Sequence, residues 1–85
     1  MKLPRDTDAR ELIKALQRIG YHVVRQSGSH IRLQTEQPKP HALTVPNHAP
    51  LKLGTLSAIL SDVAQHRDIG KEELLRLLFG KQGAP

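Results

Sequence analysis

The chain has no cysteine and no tryptophan, and Tyr21 and Phe79 are its only large aromatic residues. Without cysteine there are neither disulfides nor thiolate zinc sites, which fits a reducing cytoplasm. So few rings argue against a module that stacks bases on exposed aromatics; a nucleic acid would instead be held through its backbone and shape. No apolar run approaches the length that spans a bilayer, and Met1–Asp6 lacks the apolar core of a signal peptide. A cytoplasmic protein with no membrane partner is therefore expected. Acid is missing from the middle of the chain. Between residues 12 and 61, Lys14, Arg18, Arg25, Arg32, Lys39 and Lys52 are opposed only by Glu36. The formal net charge of +5 sits there, while Asp and Glu gather at the two ends. A basic middle suits a polyanion, because each phosphate contact releases condensed counterions. A solvated basic surface without a specific partner is the plain alternative.

What is present is clear periodicity. With 85 residues and no linker or internal repeat, the chain reads as a single domain, 1–85, in which each amphipathic element must contribute to one thin core. Ala9, Leu12, Ile13, Leu16 and Ile19 keep helical spacing, with Asp8 and Glu11 placed for a capping box and Gly20 as the C-terminal stop. Two strand-like runs follow, Tyr21–Gln26 and His30–Glu36, joined by Ser27-Gly28-Ser29. Pro38 and Pro40 break the second run, leaving Gln37–Pro40 as the connection to a third, His41–Pro46. Leu56, Ile59, Leu60 and Val63 predict a helix with Thr55 as its N-cap. A leucine-rich helix over about Lys71–Phe79 ends the chain, with one side expected on the core and a docking surface as its other reading. The fold class is α+β, in the order α-β-β-β-α-α, with a three-stranded antiparallel meander covered by helices on one face.

Strand alternation turns Ile31 and Leu33 inward and leaves His30, Arg32 and Gln34 on the open face. Meander pairing brings the end of the third strand, with Pro46 and His48, to the sheet edge that holds His30. The approach to the second helix, with Lys52 and the amides near Gly54 and Thr55, is expected close by. His30 is the leading candidate for chemistry, since imidazole exchanges protons near neutral pH. Each residue also has a plainer role. His30 and Ser29 can serve the turn, Gly28 can supply a positive φ, and His48 can cap a loop. Arg32 and Lys52 can be ordinary exposed charges, and Gly54-Thr55 a simple helix start. His22, His41 and His66 have no motif context and read as surface or packing residues. No histidines stand at metal-ligand spacing and no acid flanks His30 or His48, so no metal and no cofactor are expected.

Gly28-Ser29-His30, Val45-Pro46-Asn47-His48 and Lys52-Leu53-Gly54-Thr55-Leu56, in this order behind a helix ending in Gly20-Tyr21, resemble the HicA family. Its members are small toxins termed mRNA interferases, paired with HicB antitoxins. The resemblance covers about residues 9–64 and leaves residues 65–85 as a helical extension, with the oligomeric state open. It implies a double-stranded-RNA-binding-domain-like fold and places the family's essential histidine at His30. It also implies metal-independent cleavage of mRNA, in which the ribose 2′-OH attacks the adjacent phosphorus and the 5′-oxygen leaves. His30 would be general base or general acid, and His48 is a candidate for the second proton transfer. Arg32 and Lys52 would balance the phosphorane charge. A HicB-like antitoxin would cover the basic face. A non-catalytic RNA-binding module of the same fold, with a structural His30, stands as the alternative.

Overall fold

The computed structural model describes residues 3–4 and 6–80. Its elements are α1 (Ala9–Arg18), β1 (His22–Ser27), β2 (His30–Thr35), β3 (His41–Pro46), α2 (Leu53–Arg67) and α3 (Lys71–Phe79). The expected element order and the α+β class are both found. The strands form one antiparallel sheet in the order β1-β2-β3. No helix among the described residues is long and apolar enough to cross a membrane. Of the terminal segments discussed above, Met1, Lys2, Arg5 and residues 81–85 lie outside the described residues.

Local chemistry starts and stops α1. The Asp8 carboxylate accepts from the Glu11 amide at 2.8 Å, and the Glu11 carboxylate accepts from the Asp8 amide at 3.1 Å. This capping box satisfies two amide donors that the helix cannot pair internally. At the other end Gly20 takes φ +110° and the Tyr21 amide donates back to the Leu16 carbonyl. A β-carbon at Gly20 would also come within 3.3 Å of Thr35 Oγ1, so the reversal favours glycine twice over.

Between β1 and β2, Ser27 pairs with His30, which leaves a two-residue turn of Gly28 and Ser29. Gly28 alone has positive φ, at +58°, the signature of a type II′ hairpin turn. β2 then alternates as expected, with Ile31, Leu33 and Thr35 buried and His30 and Arg32 exposed. It ends one residue sooner than Glu36, because Thr35 Oγ1 accepts from the Gln37 amide at 3.2 Å and turns the chain out of the ladder.

A second departure is the start of α2. Its N-cap is Lys52, not Thr55, and no side chain caps it. Leu51 is buried and its amide donates to the Thr7 carbonyl at 2.8 Å, which ends the loop early. The Leu56 amide then donates to the Lys52 carbonyl at 2.9 Å, closing the first helical turn. An N-cap hydroxyl is worth about 1 kcal/mol, which burial of a leucine exceeds.

The core lies between the sheet and the helices: Leu12 and Leu16 of α1, Leu33 and Val45 of the sheet, Leu56, Leu60 and Val63 of α2. Leu74 and Leu78 of α3 join it fully buried, so the leucine-rich helix packs on α1 and α2 rather than standing apart. Arg18 donates to the Leu78 carbonyl at 2.6 Å and Arg67 to the Ile19 carbonyl at 3.2 Å, tying the helix ends together.

Candidate active site and nucleic-acid interface

The register of the sheet assembles its open face. His30 stands opposite Ser27 on one side and Pro46 on the other; Arg32 stands between Arg25 and Thr44; Gln34 stands between His22 and Ala42. Directly opposed residues share a face, so two arginines lie side by side there and two histidines flank them along the strands. Arg32 donates to Thr44 Oγ1 at 3.2 Å. None of the three strands contains an aspartate or a glutamate. Like charges directly opposite one another weaken a sheet; an anion bound across Arg25 and Arg32 would turn that repulsion into attraction. Arg25 had not been singled out from the sequence, although counting back from a two-residue turn at Gly28-Ser29 places it opposite Arg32.

His30 is exposed, and among the described residues its ring makes no hydrogen bond. Its backbone is nevertheless well fixed. It lies at the strand end beside the II′ turn, paired on both sides, and the next link in the same direction is the Asn47 amide donating to the Ser29 carbonyl at 2.6 Å. His48, also exposed, follows directly. The structure therefore brings His30, Ser29, Pro46 and His48 to one end of the sheet. The His48 carbonyl accepts from the Ala9 amide at 2.9 Å, so the element joined to this end is the start of α1. Lys52 is exposed at the start of α2, beyond the Leu51–Thr7 link, and its ammonium group engages no hydrogen bond or ion pair among the described residues. No bond connects Lys52, Gly54 or Thr55 to His30. A β-carbon at Gly54 would meet nothing within 4 Å, so neither packing nor φ demands glycine there.

The other end of the sheet holds a different set of rings. Tyr21 Oη lies 2.7 Å from His41 Nδ1, and His41 Nε2 lies 3.2 Å from Asp62 Oδ1. Burial, aided by the Asp62 charge and opposed by Arg67, pushes the Tyr21 hydroxyl up to about 12, so it keeps its proton. A carboxylate only accepts, so His41 Nε2–H donates to Asp62, which leaves Nδ1 to accept a hydrogen bond from the tyrosine hydroxyl. The His66 ring stacks on His41 at 4.4 Å, and its Nε2 donates to the Lys39 carbonyl at 2.7 Å. Five residues of β3 separate His41 from the level of His30, about 17 Å of strand. These rings pack and lock, as the sequence led us to expect of His41 and His66. The Tyr21–His41–Asp62 chain itself was not foreseen. Its one sequence signal is that Asp62 and His66 stand four apart, on one face of α2.

The family model described as HicA toxin of bacterial toxin-antitoxin matches residues 9–78, from the first residue of α1 into α3. The chain belongs to the HicA toxin family. It is thus the toxin side of a toxin–antitoxin system, which implies a cognate antitoxin as partner. The match runs beyond residue 64, so the family resemblance of this HicA chain includes most of α3. No curated protein and no solved structure matches the chain.

Proposed function

We propose that this HicA-family toxin is an endoribonuclease that cuts mRNA without a metal ion, with His30 as its general acid or base. The observation that carries the reading is the site itself: an exposed imidazole on a fixed strand end, sharing the open sheet face with the opposed Arg25 and Arg32. The one carboxylate near that face, Glu36, is bonded to Gln34 at 3.1 Å, toward the far end of β2. In the reaction the 2′-OH of the substrate ribose forms a bond to phosphorus as the bond to the 5′-oxygen breaks. Neutral His30 accepts the 2′-OH proton, or protonated His30 gives one to the departing oxygen. His48, brought to the same sheet end by the Asn47–Ser29 link, is the candidate for the complementary transfer. Arg32 and Arg25 balance the charge that grows on the phosphorane, and Lys52 adds to the field from the start of α2. Requiring a 2′-OH makes DNA a non-substrate. A HicB-like antitoxin would silence the enzyme by covering this face with acidic residues, since the same positive field attracts both ligands.

Degradation of a purified mRNA in the presence of chelator, by the wild type and by His30→Ala, tests this directly, with circular dichroism to show that the variant is folded. Cleavage by the first and none by the second is the expected result; equal cleavage removes His30 from the mechanism.

One observation favours a second reading. No side chain among the described residues orients the His30 ring, whereas catalytic bases are commonly held by a third group. In that reading the same face binds RNA without cutting it. RNA binding by both proteins with cleavage by neither is its signature.

A further inference from the structure

The helices roof β2 and β3 but stop short of β1. All six residues of β1 are exposed, and Val23 and Val24 remain 41% and 47% accessible. Val23 stands opposite Leu33, on the face that α1 covers elsewhere, yet no helix lies over it. Between this strand and α1 runs a groove of about 330 Å³ lined by Arg10, Ile13, Lys14, Gln17, Val23 and Gln26. Its floor is apolar: Ile13 is half-buried against the core and Val23 is open. Its rim is basic. Arg10 and Lys14 lie one helical turn apart, no carboxylate lines the groove, and neither cation forms an ion pair among the described residues. Asn47 also lines it, and the hydrogen bond from its backbone amide to the Ser29 carbonyl joins the groove to the strand end that carries His30.

An apolar floor inside a basic rim fits a polypeptide that brings both apolar and acidic side chains. RNA would engage the rim through its phosphates and leave Val23 and Ile13 uncovered. A second copy of this chain pairing through the same surface would set Arg10 and Lys14 against themselves. Strand addition is also disfavoured, because a β-bulge at Val24 interrupts the free edge of β1. We propose that an acidic segment of the antitoxin docks in the α1/β1 groove, its apolar side chains on Val23 and Ile13 and its carboxylates on Arg10 and Lys14. This contact is separate from any cover over His30. It gives the antitoxin a hold on the toxin that does not depend on matching the RNA-facing surface, and it delivers the rest of the antitoxin to the His30 end through Asn47. The proposal rests on the toxin–antitoxin assignment, and on the ribonuclease reading only for one of its readouts.

The test is calorimetric titration of the full-length toxin with its antitoxin, using wild type, Val23→Glu and Lys14→Glu, alongside mRNA cleavage by each free toxin. Both positions accept solvent-facing side chains, and thermal melts establish that the variants are folded; Lys14→Gln serves as the milder partner. We expect each glutamate variant to raise the antitoxin Kd at least about tenfold, through repulsion of its carboxylates. Cleavage by the free variants is expected to stay within about twofold of wild type, as for surface changes away from the reacting groups. An unchanged Kd removes the groove from the antitoxin interface. Impaired cleavage with an unchanged Kd assigns the groove to RNA instead. If wild type cleaves nothing, the ribonuclease reading fails while the titration still decides the groove.

Discussion

The two ends of the sheet use the same residue type to opposite ends. At the β1–β2 turn, His30 and His48 face water with rings free of hydrogen bonds among the described residues. At the start of β3, His41 is bonded at both ring nitrogens and His66 is stacked on it. An imidazole whose two nitrogens are committed has no site left for a substrate proton. A free one on a fixed backbone does. Partner count agrees with motif context in setting His41 and His66 apart from the candidate pair, His30 and His48.

Breaking the first end has the larger effect. His30→Ala is expected to lower mRNA cleavage by about 10²–10⁴-fold, the usual contribution of a general acid or base. The melting temperature should hardly move, because the ring touches nothing that the fold needs. A large drop in melting temperature would show that His30 is structural after all. The mirror experiment is His41→Ala. It leaves the buried Tyr21 hydroxyl without a partner and should cost about 1–3 kcal/mol, read by urea unfolding. Cleavage by the folded fraction should persist; its loss would couple two ends that we regard as independent.

Arg25→Gln sharpens the contrast further. Removing one of two opposed arginines should relieve a repulsion and stabilise the free toxin by a few tenths of a kcal/mol, within the ~0.2–1 kcal/mol range of cross-strand pairs. It should also weaken RNA binding and reduce the salt slope of log K by about one. A slope equal to wild type would take Arg25 out of the interface. The smallest effect lies in alkali. Because the Tyr21 hydroxyl is raised from 10.0 to about 12 in the folded state, its contribution is complete below pH 10. That contribution is lost as the pH rises through about 12, since the unfolded chain gives up the proton first. Unfolding curves across this window should show less loss for Tyr21→Phe than for wild type.

Much of this was legible in the sequence. Asp8 with Glu11 and the glycine at 20 delimit α1, and the turn at Gly28-Ser29 fixes which residues of β2 face water. What was not legible arose from distant contacts. The start of α2 moved to Lys52 because Leu51 is anchored on Thr7, 44 residues earlier. The exposure of Val23 and Val24 likewise follows from the helical layer, which does not reach β1. The Tyr21–His41–Asp62 chain joins residues 20 and 21 positions apart, which only the packing of α2 against β3 brings into register. Of the site, His30 could be named in advance; Arg25, across the hairpin from Arg32, follows only once the turn is known to have two residues.

The packing of α3 against α1, with Arg18 bonded to the Leu78 carbonyl, has a consequence for how such a protein is made in the cell. The first helix finds its final neighbour only when the last one has left the ribosome. Until then Leu12 and Leu16 lack part of their cover, and the strand end carrying His30 rests on a core that has not closed. Domains fold as units during synthesis, so a half-made chain is an unarmed one. The cell has the whole interval of translation in which to have the antitoxin waiting.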